Sequence, residues 1–394
     1  MSGRISIPTS ELGPFFEPRH DELAQRLSGG LLDALAGKED AAEVGRILGK
    51  LDLYAHLVPE AYGGAASGRP KDLSFVDVRA LVLVREALGQ VSPLADSIFA
   101  VQGLGTYPIV LGGSQDLVAE VVPDVVRGLK IGAFALTEPE AGSDVASLQT
   151  RAQKDGDDWV LDGEKTLISN VGIADHYVVF ANADPSLGRK GISAFYVPKD
   201  TPGLTLERLP MSVPHPLGRL RLAGCRVPGA NLVGHVGGGF RLAMETLDAF
   251  RISVGAAANG MAERALSETI TRVKKRRQFG APLADQQMVK AYLAEMATEL
   301  DASRLLVARA AHRRDTTGER VTALAAMAKM HATEAAQRVI DKAVQLHGGM
   351  GVVEGTEVER LYREIRPLRI YEGTTEIQKL VIARELLTRD RGES

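Results

Sequence analysis

The chain has 394 residues, of which 45% are hydrophobic and 25% are charged, an ordinary balance for a soluble globular protein. At roughly 150 residues per domain this length predicts two to three domains, and the composition excludes a mini-protein or a disordered chain. With 47 basic and 50 acidic residues the net charge is -3, which excludes a general electrostatic attraction to nucleic acid or to an anionic membrane.

The cysteine content and the N-terminus bear on the compartment. The single cysteine, Cys225, excludes an intrachain disulfide and a multi-cysteine metal site, so we predict a reducing compartment and no metal. The N-terminal residues lack a long apolar core followed by a small-residue cleavage site. We also expect no later stretch of about 18 residues without charge, as a membrane-spanning helix would need. We therefore expect a cytoplasmic protein with no membrane span.

Residues 1–130 are predicted to form an α-helical N-terminal domain. Leucines at 23, 27, 31 and 35 recur every four residues, which is typical of one face of a helix. Glycine pairs such as Gly112-Gly113 provide breaks between helices.

Residues 131–234 have the pattern of an antiparallel, β-barrel-like domain. Short runs rich in β-branched and aromatic residues alternate with turn formers, as in 159–161, 177–180, 192–197 and 204–206. The prolines of this region suit strand edges and turns and disfavour a long helix.

Residues 235–394 are predicted to return to helix after the glycines at 237–239. The stretch 321–346 is rich in alanine and has few helix breakers, which predicts one long, closely packed helix. The fold class is therefore multi-domain α+β, in the order helix, sheet, helix. No alternating βαβ pattern indicates a Rossmann unit.

Two motifs lie in the β-rich region. The run 135–144 ends in hydroxyl and glycine residues that can donate hydrogen bonds to a ring edge or a phosphate, although for this motif alone a capped turn is the simpler interpretation. The run 165–170 places small polar groups beside apolar ones at a strand end, although for this motif alone a surface strand is the simpler interpretation.

Further motifs lie in the C-terminal third. The run 276–280 with Gln287 suits a phosphate clamp, because arginine offers paired donors to pyrophosphate, although a solvated helix end is the simpler interpretation. The glycines of 345–351 end a long helix and let a ligand approach bare backbone. The last motif is 370–378, Ile-Tyr-Glu-Gly-Thr-Thr-Glu-Ile-Gln.

In this order, and together with 59–64 near the N-terminus, these motifs resemble the acyl-CoA dehydrogenase family of flavoproteins over nearly the whole chain. The resemblance implies a helical N-terminal domain, a central β-barrel-like domain and a C-terminal four-helix bundle that bind FAD. It assigns Thr137, Ser143 and Ser169 to the flavin ring and adjacent phosphate. The cofactor residues that it implies on the partner subunit are Arg276, Gln278, Phe279, Gln287, Gln345, Gly348 and Gly349. Thr374 and Glu376 match further FAD positions.

The resemblance also implies the assembly, the substrate and the base. It implies a homo-oligomer, a dimer or a dimer of dimers, that oxidises an acyl-CoA to the trans-2-enoyl-CoA and passes electrons to an electron-transferring flavoprotein. Glu372 matches the family's catalytic base, which removes the α-proton while the flavin accepts the β-hydride. Asp248, Arg251, Tyr371 and Gly373 match substrate positions. The alternative base position of some relatives is Phe250 here, which cannot accept a proton.

The environment of Glu372 predicts a direction for its pKa. Thr375 and Gln378 suggest a capping box for the last helix, and the helix dipole would lower the pKa of Glu372 by less than burial can raise it. We therefore expect a raised pKa for Glu372 when substrate is bound.

Two positions depart from the family pattern. Leu167 stands where most relatives have a tryptophan beside the flavin, and His215 lies in a segment, 213–217, that is usually more polar. A loop histidine is more often solvated than bound to a ligand.

Two other functions remain open from the sequence. A flavin-dependent oxidase or monooxygenase could use the same scaffold. A flavin-carrying nucleic-acid-binding protein would need a basic surface, which the net charge of -3 disfavours.

Overall fold

The computed structural model describes residues 5–66, 68, 69 and 72–389, without the side chain of residue 389. Contacts divide the chain into two compact units. The first unit contains the residues up to 37, 78–96 and those from 251 onward, and the second contains 38–77 and 97–250.

Helices occupy most of the chain before residue 130. We label them α1 Pro18–Arg26, α2 Ala41–Lys50, α3 Val78–Val91, α4 Pro93–Gly112 and α5 Gln115–Val126. The single helix predicted through the leucines at 23–35 is wrong, since α1 ends at Arg26. Gly30 adopts a φ of 92°, a left-handed conformation that interrupts the helix just before Leu31.

Helix α4 corrects the expectation about apolar stretches. It contains residues 97–112 of the uncharged run 97–115, and within the described residues it is the one helix long and apolar enough to cross a membrane. Most of its apolar window, 83%, is buried inside the protein. Asp96 in its first turn forms an ion pair with Arg85, as a core helix allows.

An eight-stranded sheet forms the body of the second unit. Its strands are β1 Gly132–Ala135, β2 Arg151–Asp155, β3 Asp158–Ser169, β4 His176–Asn182, β5 Ile192–Pro198, β6 Leu204–Leu209, β7 Leu217–Val227 and β8 Leu232–Val233. The order is β6-β7-β3-β2-β4-β5-β8, with β1 beside β4. The sheet is mixed rather than purely antiparallel, because β4 pairs in parallel with β1 and with one residue of β2.

The first unit is a helical bundle completed by the C-terminal third. Its helices are α6 Gly239–Lys275, which begins in the second unit, α7 Gln287–Thr317, α8 Thr322–His347, α9 Glu357–Ile365 and α10 Thr375–Arg389. Two short strands, β9 Arg277–Gln278 and β10 Ala281–Pro282, form a hairpin between α6 and α7.

Small residues let the bundle helices approach closely. Alanines of α6, α7 and α8 form much of the buried core, and a Cβ added at Gly255 would lie 2.8 Å from the Val307 side chain and 3.1 Å from that of Ala332. The alanine-rich stretch is one long helix, α8, as predicted. Close-packed interiors of this kind tolerate little added volume.

A buried ion pair ties the loop after β1 to β3. The Lys165 Nζ donates to Glu138 Oε1 at 2.7 Å and to the Leu136 carbonyl at 3.1 Å. The Glu138 carboxylate also accepts the backbone N–H groups of Gln149 and Thr150. Burial lowers the pKa of Lys165 to about 8, although its partner Glu138 opposes the shift.

We expect Lys165→Met to lower the free energy of unfolding by about 3–5 kcal/mol, because it leaves the buried Glu138 carboxylate without its cation. The double variant Lys165→Met/Glu138→Gln removes both charges and should recover part of this loss. Thermal unfolding followed by circular dichroism measures both, and a single variant as stable as the wild type would contradict the expectation.

We expect His176 to make the protein less stable in acid. Its ring is fully buried with Nε2 3.3 Å from the Gly105 carbonyl oxygen, and burial lowers the pKa of His176 to about 4. Between pH 6.5 and 4 the unfolded chain binds a proton that the folded ring does not, so stability is lost as pH falls, on the order of 3 kcal/mol in total. His176→Gln should show a shallower loss of melting temperature between pH 7 and 4.5, and an equal slope would refute this role.

Candidate active site

The candidate base, Glu372, lies in a short loop of the first unit, immediately before α10. Glu372 has a φ of 51° and Gly373 a φ of 89°. A non-glycine residue with positive φ is uncommon and costs on the order of 1–3 kcal/mol unless its surroundings impose it. The loop is therefore held in an unusual conformation by its neighbours.

Three side chains impose that conformation by binding the carbonyl groups of the loop. Arg251 Nε donates to the Glu372 carbonyl at 3.3 Å, and Lys329 Nζ donates to the Gly373 carbonyl at 2.8 Å. The Gln378 amide donates to both carbonyls, at 3.3 and 2.9 Å. Burial lowers the pKa of Lys329 to about 8, and its ammonium also faces Glu372.

The start of α10 differs from the predicted capping box. Thr374 caps the helix, since its Oγ1 accepts the Ile377 N–H at 3.3 Å. Thr375 instead donates its hydroxyl to Glu334 Oε1 at 2.6 Å, and Gln378 turns back to the loop carbonyls. The capping prediction was wrong by one residue because Gln378 is occupied in holding the loop.

Two polar groups of Glu372 have no partner among the described residues. The carboxylate Oε2 is sealed from solvent and lacks a hydrogen bond, although the residue as a whole is half-buried. The Glu372 backbone N–H also donates to no acceptor in the described part of the chain. Buried polar groups are nearly always satisfied, so the unpaired Oε2 points to a ligand or a catalytic role.

The charges around Glu372 explain the direction of its proton affinity. Burial raises the pKa of the Glu372 carboxyl, and nearby positive charges reduce the rise without cancelling it. Those charges belong to Arg85, Arg251 and Lys329. The raised pKa has the expected direction, here without a bound substrate.

The chain also places the other substrate candidates around this loop or on α6. Tyr371 precedes Glu372, and burial raises its pKa while the nearby Arg85 lowers it. Arg251 is buried on α6, and Asp248 lies half-buried on the same helix. Phe250 cannot act as a base: its ring is 1% exposed and packs edge-on against Tyr107, with centroids 5.7 Å apart.

The second unit brings together the segments assigned to the flavin ring. The Thr166 N–H donates to the Thr137 carbonyl at 2.9 Å, so the loop after β1 lies alongside the end of β3. Thr137 and Ser169 are half-buried there, and Ser143 is exposed in the same loop. The second unit thus contains the three hydroxyl groups that were predicted to bind the flavin ring and the adjacent phosphate.

His215 is half-buried and hydrogen-bonded, whereas a loop histidine is usually solvated. Its ring nitrogens lie 2.9 Å from Ser97 Oγ and 2.8 Å from Ser169 Oγ, so it links α4 to the end of β3. Burial lowers the pKa of His215 to about 4, which keeps the ring neutral near pH 7. The imidazole therefore orients the Ser169 hydroxyl, a contact that no sequence pattern revealed.

Leu167, at the position usually held by tryptophan, has a φ of 55° and its side chain is 58% exposed. The pairing of β3 with β7 shifts register between Lys165 and Ile168, which marks an irregularity at this point. The neighbouring Asn170 is also left-handed and fully buried, and its Nδ2 donates to the Gly132 carbonyl.

The residues assigned to the far end of the cofactor are on the surface of the first unit. The β9–β10 hairpin exposes Arg276 and Gln278, and Phe279 at its turn is 95% exposed with a φ of 51°. The others in this unit are Gln287, Gln345, Gly348, Gly349 and Glu376, all exposed, and Thr374, which is half-buried.

The donor set suits FAD. An arginine can bind a pyrophosphate with paired donors, and a Cβ built on Gly348 or Gly349 would meet no atom within 4 Å, so their backbone is open to a ligand. Hydroxyls at Thr137 and Ser169 match the polar edge of a flavin ring in chemistry.

Several functional candidates were missed from the sequence. They are Arg85, Asp96, Glu138, Lys329 and the contact made by His215. A charged residue inside an apolar helix, as Arg85 in α3 and Asp96 in α4, is the signal that could have shown a buried pair.

Comparison with known proteins gives a consistent result along the chain. Three family profiles match: acyl-CoA dehydrogenase N-terminal domain at 32–129, middle domain at 133–225 and C-terminal domain at 237–387. The chain is 40% identical to the probable acyl-CoA dehydrogenase FadE25 of Mycobacterium tuberculosis, over 98% of this chain and 100% of the relative.

Two further likenesses concern the reaction and the cofactor. The chain is 35% identical to a 3-(aryl)acrylate reductase of Clostridium sporogenes, over 95% of this chain and 100% of the relative. It is 26% identical to the solved glutaryl-CoA dehydrogenase of Mycobacterium smegmatis in complex with FADH2, with a TM-score of 0.85 over 96% of each chain. The chain belongs to the acyl-CoA dehydrogenase family of FAD-dependent oxidoreductases.

Proposed function

We propose that the protein dehydrogenates an acyl-CoA thioester to the trans-2-enoyl-CoA, with Glu372 as the base. The supporting observation is the Glu372 carboxylate itself, whose Oε2 is sealed from solvent and has no hydrogen-bond partner among the described residues. A carboxylate kept in this state has its proton-accepting oxygen available, and a raised pKa suits a base that works near neutral pH.

In the proposed step two hydrogens leave the acyl group by different routes. The Cα–H bond breaks and its proton passes to Glu372 Oε2, while the Cβ hydrogen leaves with two electrons as hydride and a Cα=Cβ double bond forms. FAD, when bound, supplies the acceptor for that hydride. The unpaired Glu372 N–H is a suitable donor to the thioester carbonyl, where negative charge develops as the proton leaves.

The remaining assignments belong to the same proposal. Thr137, Ser143 and Ser169 serve the flavin ring and the adjacent phosphate, and Thr374 and Glu376 serve further FAD positions. Asp248, Arg251, Tyr371 and Gly373 serve the substrate. The proposal includes three domains divided at 130 and 234, and the profile matches at 32–129, 133–225 and 237–387 support this division.

The exposed far-end residues support a homo-oligomer, a dimer or a dimer of dimers. Phe279, which is 95% exposed beside Arg276 and Gln278, offers an apolar ring that a partner subunit would cover in this assembly. In the proposed assembly this hairpin, with Gln287, Gln345, Gly348 and Gly349, serves the FAD of the neighbouring subunit. The electrons leave to an electron-transferring flavoprotein.

A second candidate is the same chemistry in the reducing direction. The 35% identity to a 3-(aryl)acrylate reductase supports it. A protonated Glu372 would then deliver the α-proton, for which a raised pKa is equally suitable. Flavin absorbance separates the two directions: a dehydrogenase is bleached by a saturated acyl-CoA, whereas the reduced form of a reductase regains its colour with an enoyl-CoA. Rapid reoxidation of the reduced flavin by air would instead indicate an oxidase.

We expect Glu372→Gln to slow flavin reduction by about 10²–10⁴-fold while the protein stays folded and yellow, because the amide cannot accept the proton. The measurement is anaerobic loss of flavin absorbance with a panel of acyl-CoAs that differ in length, branching and ring content. Glu319→Gln, an exposed residue between α7 and α8, is the matched control and should react as the wild type does. Unchanged reduction by Glu372→Gln would place the base elsewhere.

We expect the rate of flavin reduction to rise with pH. Only the carboxylate form of Glu372 accepts a proton, and burial places the pKa of this group above its ordinary value of 4.5. The rate should therefore increase as pH passes upward through that raised pKa. Stopped-flow rates with the best acyl-CoA between pH 5 and 9 measure it, and a rate that falls with rising pH over this range would count against a carboxylate base.

A further inference from the structure

One histidine links two serines within the second unit. His215 Nδ1 lies 2.9 Å from Ser97 Oγ, and His215 Nε2 lies 2.8 Å from Ser169 Oγ. All three residues belong to the second unit and all are half-buried. We call them the Ser-His-Ser chain. Both nitrogens of the imidazole are engaged in it, while the Ser169 hydroxyl is not sealed from a ligand that approaches the end of β3.

The local sequence fixes the backbone of His215. Pro214 and Pro216 flank it, and a proline both sets its own φ near −65° and restricts the residue before it to extended backbone. The Leu217 N–H donates to the His215 carbonyl at 3.0 Å, and β7 begins at Leu217, which pairs with Ser169. The backbone of His215 is therefore held beside the end of β3 by contacts other than those of its ring.

The start of β7 is packed tightly on the same strand end. Gly218 pairs with Ile168, and a Cβ added at Gly218 would lie 2.4 Å from Val171 Cγ1 and 2.5 Å from the Glu207 carbonyl oxygen. Such distances leave no space for a side chain at Gly218. The segment that carries Ser169 and the segment that follows His215 are thus fixed against each other.

The hydrogen bonds of the Ser-His-Ser chain restrict the Ser169 hydroxyl. A neutral imidazole has one N–H donor and one acceptor nitrogen, whereas a hydroxyl can both donate and accept. One serine therefore donates to the ring and the other accepts from it. Among the residues that the structure describes, His215 is the only hydrogen-bond partner of Ser169 Oγ. The rest of the hydrogen-bonding capacity of this hydroxyl is available to a ligand.

We propose that Ser97 and His215 are positioning residues that hold the Ser169 hydroxyl in the orientation that binds the edge of the flavin ring. This inference rests on the proposed assignment of Ser169 to that ring, and it adds two residues that the sequence motifs did not assign to the cofactor. A hydroxyl that is already fixed loses less rotational freedom on binding than a free one does. The consequence is tighter binding of FAD.

The experiment measures the affinity for FAD in a double-mutant cycle. The wild type, Ser169→Ala, His215→Leu and the double variant are diluted as holoenzyme, and the fluorescence of released FAD gives each dissociation constant. If His215 acts through Ser169, the effects of the two substitutions are not independent. No acyl-CoA is present, so the result does not depend on Glu372 being the base.

The expected effects decrease along the chain away from the flavin. We expect Ser169→Ala to weaken FAD binding about tenfold and His215→Leu about fivefold, as loss of one hydrogen bond does. The double variant should bind about as weakly as Ser169→Ala alone, whereas independent effects would multiply to about fiftyfold. Ser97→Ala breaks only the far contact and should weaken binding about twofold. His215→Gln keeps a donor and an acceptor in its amide and should recover part of the loss.

A second histidine provides the control for lost stability. His20 of α1 is 1% exposed, and its Nδ1 accepts the Glu17 N–H at 3.0 Å. Helix α1 contains none of the candidate cofactor residues. His20→Leu should therefore lower the melting temperature and leave the dissociation constant for FAD unchanged.

A double variant that binds FAD no more weakly than Ser169→Ala, with an unchanged dissociation constant in His20→Leu, supports the proposal. Effects that multiply, or FAD affinity at the wild-type value in His215→Leu, would overturn it. If His215→Leu does not fold, His215→Gln and Ser97→Ala take its place in the cycle with Ser169→Ala. Wild-type affinity in Ser169→Ala would overturn the inference through its premise, while flavin reduction in Glu372→Gln tests the proposed base separately.

Discussion

The structure depends most on one constraint, a carboxylate that is buried beside three cations without forming a hydrogen bond to any of them. Arg251 and Lys329 donate to backbone carbonyls of the loop, and Arg85 is bound by Asp96 and Ser253. Among the described residues, the Glu372 Oε2 atom accepts no hydrogen bond from any of these cations. The carboxylate oxygen keeps its ability to accept a proton, while the surrounding charge limits how far burial raises its pKa.

The strained backbone has a physical explanation in the same contacts. A glutamate at φ 51° is unfavourable on its own, and three side-chain donors to the two loop carbonyls offset this cost. Within the described part of the chain, the arrangement also leaves the Glu372 N–H without an acceptor. One loop conformation therefore presents both a proton acceptor and a hydrogen-bond donor, which are the two groups that removal of a proton next to a carbonyl requires.

Much of the fold could be predicted from local sequence patterns, because helices and strands follow hydrophobic periodicity. The strands at 159–161 and 177–180 and the alanine-rich helix at 321–346 are where the patterns placed them. The leucine repeat at 23–35 led to a wrong prediction, because Gly30 interrupts a helix that side-chain spacing alone would continue. The parallel pairing of β1 with β4 depends on a contact between strands distant in sequence, which no local pattern records.

The candidate site, like the fold, could be predicted only in part from local sequence patterns. Glu372 could be singled out because a motif surrounds it, whereas Arg85 and Asp96 are a pair only when α3 and α4 are folded against each other. The contact of His215 with two serines likewise requires a loop, a helix and a strand end to meet.

The most direct test of the central claim is solvent exchange at the α-carbon of an acyl-CoA that binds but cannot lose a β-hydride. In deuterium oxide the wild-type protein should incorporate deuterium at Cα, as mass spectrometry would detect, and Glu372→Gln should not. Equal incorporation by both proteins would show that another group takes the proton and would contradict the account.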